Sequence, residues 1–232
     1  MPRAAASAPA AIPARRPRHT QDNLAERADM ALREMVHDGV LLPGAPIRQG
    51  AIAEQLGVSR VPVREALKSL QADGLVVASP SGGFEVARLS SAELSQIYLM
   101  RRLLETELLG QVRAAADADL ARLIELNARM ADLVDTPSRE LRLLNEQFHF
   151  QMFALSGLDH VVAEVRRLWQ KTGPYRLVYS AEREARARIV TEHEAMVAAL
   201  RAGDTELLVR RMDEHRQRSE RDVVTVLSRP VS

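Results

Sequence analysis

From Asn23 onward the apolar positions Leu24, Ala28, Ala31, Leu32, Met35 and Val36 keep one stripe at helical spacing, and Gly39 follows as a stop. The pattern predicts a first helix ending near Asp38. Leu42-Pro43-Gly44-Ala45-Pro46 reads as a turn, after which Gly50 to Leu56 and Arg60 to Asp73 form two short helices split by Gly57-Val58-Ser59. Pro62 falls in the first turn of the second of these, where its missing N–H costs no intrahelical bond. Leu75 to Ala78 and Phe84 to Ala87 read as two short strands joined by Ser79-Pro80-Ser81-Gly82-Gly83. The outline is a helix-turn-helix followed by a hairpin wing.

From Ser91 the periods are helical only, interrupted at Ala116-Asp117, Asp135-Thr136-Pro137, Gly157, Gly173-Pro174 and Ala202-Gly203-Asp204. The expected fold class is therefore mainly α: three helices plus a two-stranded wing, then an all-α bundle of about six helices. Residues 1–20 hold four prolines, seven alanines and four arginines with no acid, which predicts a basic disordered arm that is solvated or touches DNA phosphates. The division is thus 1–20 arm, 21–89 winged module and 91–228 helical module.

Composition narrows the function classes. No stretch approaches the ~20 apolar residues of a membrane span, and no apolar run follows the basic N-terminus, so a soluble, unsecreted, cytoplasmic protein is expected. The absence of cysteine excludes disulfides, thiolate catalysis and zinc ribbons, leaving any metal to His, Asp, Glu or Asn among 232 residues that include six histidines. The net charge of +1 announces no nucleic-acid partner, so the placement of charge has to decide.

At about 100° per residue along the helix from Arg60, Val63, Ala66, Leu67 and Leu70 gather on one side and Arg60, Arg64 and Lys68 on the other. The cationic side suits a DNA major groove, where Arg forks onto guanine and Lys meets phosphates. A merely solvated charged face is the alternative for an isolated helix. Here the preceding helix, the three-residue turn and the glycine-tipped hairpin all favour DNA.

Pro43-Gly44, the run Ile52-Ala53-Glu54-Gln55-Leu56-Gly57-Val58-Ser59-Arg60-Val61-Pro62-Val63-Arg64-Glu65-Ala66-Leu67, and Asp73-Gly74-Leu75-Val76 resemble the winged helix-turn-helix of GntR-family bacterial repressors. The resemblance implies base and phosphate contacts from Arg60 and Arg64, with Ser59 and Val61 beside them and the wing glycines Gly82 and Gly83 near the minor groove. Gln49 stands where the family often has an acid, and Pro80-Ser81 where it often has a basic wing tip. A homodimer on a near-palindromic double-stranded operator follows, because one recognition helix reads only a few base pairs.

Three histidines sit inside apolar stripes of the helical module. His149 lies among Leu141, Leu144, Phe148, Met152 and Leu155, with Asn145 one turn before it; His193 lies among Ile189, Met196, Val197 and Leu200. His215 shares a side with Leu208, Met212 and Val226. His193 is eleven residues before Asp204 and His215 eleven after, so an antiparallel hairpin brings them to one level. Buried neutral rings need partners, either ordinary hydrogen bonds or a shared divalent cation such as zinc, nickel or iron.

Tyr98-Leu99-Met100-Arg101-Arg102-Leu103-Leu104-Glu105, Asn145-Glu146-Gln147-Phe148-His149, and Glu192-His193 with His215 resemble the FCD ligand-binding domain of one GntR subfamily. The resemblance implies a divalent metal, zinc or nickel, at Asn145, His149, His193 and His215, with Asn145 a neutral donor where the family has Asp. It also implies a small organic-acid effector. Arg101 projects from the apolar stripe of Leu94, Ile97, Tyr98, Leu104 and Leu108, either as an internal pair with Glu105 or as a clamp for the effector's carboxylate. Tyr175, Arg176 and Tyr179 are further candidates for that pocket. The competing reading is a metal-dependent hydrolase with Glu146 or Glu192 as base, against which Val197, not His, stands four residues after His193. A non-DNA adaptor is a third.

Overall fold

The computed structural model describes residues 18–113, 115–179 and 182–227, with backbone alone for 18–22, 177–179 and 226–227. The first unit comprises α1 (Arg18–His37), β1 (Pro46–Ile47), α2 (Gln49–Leu56), α3 (Arg60–Ala72), β2 (Val76–Ala78) and β3 (Phe84–Val86). Gly57 ends α2 in the left-handed region at φ 64, and Ser59 starts α3 from an extended backbone, so the chain turns within three residues. Pro62, Val63, Ala66, Leu67 and Leu70 are the buried face of α3. They pack with Ala28, Leu32 and Val36 of α1 and with Ile52, Leu75 and Val86.

The structure departs from the sequence expectation at three places. The helix begins at Arg18, not Asn23, so the last three residues of the expected arm belong to α1, while residues 1–17 lie outside the described residues. Pro46–Ile47, expected in or beyond a turn, forms a third strand; β3 pairs antiparallel with β1 on one edge and β2 on the other. Pro is tolerated there because β1 is an edge strand. Gly173-Pro174, which the sequence reads as a break, lies within a continuous helix.

The helical unit comprises α4 (Ser91–Gly110), α5 (Asp117–Asp132), α6 (Arg139–Ala154), α7 (Asp159–Tyr179), α8 (Arg183–Arg201) and α9 (Thr205–Leu227). Ser90 and Glu93 close a capping box at the start of α4. Pro174 sits inside α7 without ending it. The pair instead marks a close approach: a Cβ on Gly173 would run into the ring of His37 on α1. Here Gly serves helix packing, and Thr172 and Arg176 both donate to the Trp169 carbonyl just before the proline. The bundle core runs from Leu108, Leu123 and Leu126 through Phe148, Met152 and Phe153 to Trp169, Met196 and Met212. Among the described residues no helix is long and apolar enough to cross a membrane.

Candidate functional site

The exposed face of α3 carries Arg60, Val61, Arg64 and Lys68, and with Gln49 and Gly50 they line one open groove. Arg60 folds back over Gly50, where a Cβ would stand 3.1 Å from its Nη2. Val61 is 62% exposed, an apolar tip on a cationic face. Lys68 pairs with Glu65 at 3.0 Å, both half-exposed, a contact worth little in water. Ser59 precedes the helix, and the wing tip turns at Gly82 and Gly83, φ 92 and 84, conformations natural to glycine. Recognition helix and wing tip are thus both open to solvent.

Inside the helical unit α6, α8 and α9 bring His149, His193 and His215 together, their ligating nitrogens all within 4.8 Å of one another. All three rings are buried. The α8–α9 hairpin turning at Gly203, φ 68, returns His215 to the depth of His193. The hydrogen bonds fix the tautomers. Asn127 donates through Nδ2 to the Val190 carbonyl at 3.0 Å, so its Oδ1 accepts from His193 Nδ1 at 3.2 Å. His215 Nδ1 donates to Glu192 at 2.6 Å. Both rings are thereby left with Nε2 as the inward nitrogen, and His193 Nε2 stands 3.2 Å from His149 Nε2.

Burial disfavours the charged forms of His149 and His193. Burial, then the charges of His193, His215, Arg101 and Arg176, holds the His149 pKa well below the usual 6.5; burial and then His215 does the same to His193. Glu192 is opposed by burial, but its bonds to His215 and Arg218 hold its pKa below the ordinary carboxylate value. Phe148 stacks on His193 at 3.9 Å and Trp169 lies 5.0 Å from His149, fixing two of the rings. Two buried polar atoms here have no hydrogen-bond partner, Asn145 Oδ1 and His149 Nδ1. Three convergent imidazoles, an amide oxygen one turn away on α6 with no hydrogen-bond partner, and outer bonds from Asn127 and Glu192 fit a borderline divalent cation.

The residues expected around an effector divide. Arg101 on α4 donates through Nε to Glu105 at 2.8 Å, so the internal pair weighed in the sequence is formed; Arg216 on α9 reaches the other Glu105 oxygen at 2.7 Å. Two guanidiniums lie over the Trp169 ring, Arg101 at 4.3 Å and Arg176 at 4.2 Å from its centroid. Tyr98 is buried beside Arg101, 5.0 Å from its guanidinium. Tyr175 instead turns to the connection between the two units, its hydroxyl accepting from the Leu89 amide at 2.7 Å. The side chains of Tyr179 and Val226 lie outside the described residues. A cavity of about 190 Å³ opens next to this group, lined by Asn145 and Arg176 together with α1.

Sequence reading missed Asn127 as the partner of His193 and Arg216 as the second cation on Glu105. Asn127 carried a signal: it sits inside the stripe of Leu120, Leu123, Leu126 and Met130, as Asn145 does in its own. Arg216 carried none, since its neighbour in sequence, His215, already faces inward.

Residues 24–86 match the family described as "Bacterial regulatory proteins, gntR family", and residues 96–218 match the FCD domain. A transcriptional regulator from an unstable DNA locus of Streptomyces ambofaciens is 30% identical over 186 residues, 80% of this chain and 79% of that protein. The regulator YdhC of Bacillus subtilis is 31% identical over 133 residues, a match spanning 56% of this chain and 59% of YdhC. Among solved structures, Escherichia coli McbR/YncC superposes with a TM-score of 0.75 at 27% identity, covering 88% of this chain and 96% of that one.

Proposed function

Because the chain belongs to the gntR family of bacterial regulatory proteins and carries its FCD domain, we propose that it is a ligand-released repressor. The chain is a transcriptional regulator and not an enzyme, so the hydrolase reading falls away. In our reading a homodimer places two α3 helices in successive major grooves of a near-palindromic operator. Arg60 and Arg64 read base edges, Val61 meets a thymine methyl, Ser59 and Lys68 hold phosphates, and Gly82 and Gly83 let the wing approach the minor groove.

His149, His193 and His215, with Asn145 as a neutral fourth donor, would hold zinc or nickel. When bound, that ion supplies a Lewis-acidic anchor for an effector carboxylate. Arg176, stacked on Trp169, adds positive charge beside it, while Arg101 is held in its ion pair with Glu105. Effector binding shifts the dimer toward an arrangement whose recognition helices no longer match the half-site spacing, by an amount set by its differential affinity.

The observation that carries the DNA reading is the division of α3 into a fully buried apolar face and an exposed cationic one. A bidentate Arg–guanine pair discriminates by ~1–3 kcal/mol, so across two half-sites Arg64→Ala should weaken operator binding roughly 30-fold or more while leaving thermal unfolding unchanged. Fluorescence anisotropy on operator and scrambled duplexes is the test. Unchanged operator affinity for both Arg60→Ala and Arg64→Ala would overturn the reading.

A further inference from the structure

Where α1 crosses α7, the ring of His37 occupies the space a Cβ on Gly173 would need. About one turn back on each helix stand Arg33 and Gln170, and Arg33 Nη1 donates to Gln170 Oε1 at 3.0 Å. The rest of that guanidinium serves the DNA-reading unit. Its Nε donates to Asp29, one turn earlier on α1, at 2.6 Å. Its Nη2 donates to Asp73 at 2.5 Å, with Asp29 Oδ1 at 3.3 Å and the Ser69 hydroxyl at 3.4 Å. Asp73 is the C-cap of α3, so one planar fork ties the end of the recognition helix to α7. A second contact lies at the same corner, where a Cβ on Gly74 would stand 2.8 Å from Lys171 Nζ.

A helix crossing at a glycine sets how near two helices lie, while bonds away from the crossing point set the angle between them. On the α6 side those bonds are Glu34 with Arg139 and Asp38 with Arg142; at the α3 end they are the Arg33 fork. Val63, Leu67 and Leu70 of α3 share one apolar core with Leu32 and Val36 of α1, so α3 turns with α1 as one body. Leverage makes the angle matter for DNA. The 13 residues of α3 span ~20 Å, with Asp73 at one end and Arg60 and Arg64 towards the other. A tilt of about 10° at Asp73 moves Arg60 by about 3.5 Å, close to the ~3.4 Å rise of one base pair.

We propose that Arg33 is a positioning residue for DNA recognition: by tying Asp73 at the end of α3 to Gln170 on α7, it fixes the angle of the recognition helix against the bundle and with it the half-site spacing the dimer reads. The inference rests on the reading of the chain as a dimer bound to a two-fold operator. Arg33 bonds at the end of α3 remote from Arg60, so it acts through the helix rather than on the bases.

Fluorescence anisotropy with the full-length protein tests this on an operator selected from a randomised duplex pool and rebuilt with one or two base pairs added or removed between its half-sites. The wild type should favour one spacing by at least about tenfold, and R33A and Q170L should bring all spacings within about threefold of one another. Q170E keeps an acceptor for Arg33 and should restore the wild-type preference. Affinity for a duplex carrying a single half-site should be equal in all four proteins, which a damaged reading unit would not allow. Circular dichroism checks folding, and should R33A fail to fold, Q170L and Q170E carry the comparison.

A wild-type spacing preference in Q170L overturns the proposal even where R33A loses it, since that loss would then come from the grip of α1 on α3 alone. A Q170E as indifferent to spacing as Q170L overturns it too, as does a single half-site affinity that falls in step with the full operator. A wild type indifferent to spacing overturns the proposal and leaves operator recognition standing. A wild type that selects no duplex overturns the operator reading and the proposal with it.

Discussion

Replacing His193 with alanine removes a ring that is fully buried, stacked on Phe148 at 3.9 Å, and bonded to Asn127 and His149. Truncating a buried aromatic-sized side chain costs roughly 3–5 kcal/mol, and the stripped Asn127 oxygen lies at the upper part of that span because its desolvation is no longer offset. That is the metal-free difference. Zinc at a hundred times its dissociation constant should add about 2.7 kcal/mol to the wild type and little to a variant that has lost the central ligand, so the gap widens to roughly 6–8 kcal/mol. Urea unfolding followed by circular dichroism, in chelator and in zinc, reads both numbers, and elemental analysis of dialysed protein reads the metal itself. Should His193→Ala fail to fold, His215→Gln at the rim, 6% exposed, tests the same point with less packing lost. A variant that keeps the full zinc gain, or that unfolds at the wild-type midpoint in both buffers, refutes the reasoning.

Two further outcomes follow from buried charge. Unfolded His37 takes up its proton near pH 6.5 while the folded ring resists until about 4, so the unfolded state binds more protons in between and stability falls as pH drops through that window. At pH 5.5 the share due to this residue is on the order of 1 kcal/mol, and His37→Gln should lose that much less between pH 7.5 and 5.5 than wild type in paired urea titrations. Equal losses would contradict it. Glu105 is fully buried between Arg101 and Arg216, so Glu105→Gln should cost roughly 3–5 kcal/mol, part of it recovered in the Glu105→Gln/Arg101→Met double variant. A loss below about 1 kcal/mol on denaturant unfolding would show that the pair is not holding α4 to α9.

The recognition helix was legible because every signal for it is local: Gly57 ends one helix, Ser59 opens the next, and the apolar and cationic positions of α3 separate by simple periodicity. The three histidines were legible for the same reason, each lying inside an apolar stripe. What escaped was set by contacts between elements. Gly173-Pro174 carries the composition of a break, yet the glycine is required by the ring of His37, well over a hundred residues earlier in the chain. Likewise β1 is only two residues long and exists because β3 offers it an edge. Arg101 looked like a clamp because an inward arginine demands an anion; Glu105 was the near candidate, but its second partner, Arg216, comes from another helix. The cavity beside α1 had no sequence signature at all, since its arginines come from four different helices.

The most direct test is release of operator DNA by a small carboxylate, followed by anisotropy in zinc-loaded wild type and in His215→Gln, the milder change at the rim of the cluster. Both proteins should bind the operator with similar affinity, succinate or adipate should release it from the wild type, and the variant, or wild type in chelator, should release it at markedly higher acid concentration. Release at the same midpoint in all three would contradict a metal-anchored effector, and retention of the operator at every acid concentration in the wild type would contradict carboxylate control itself.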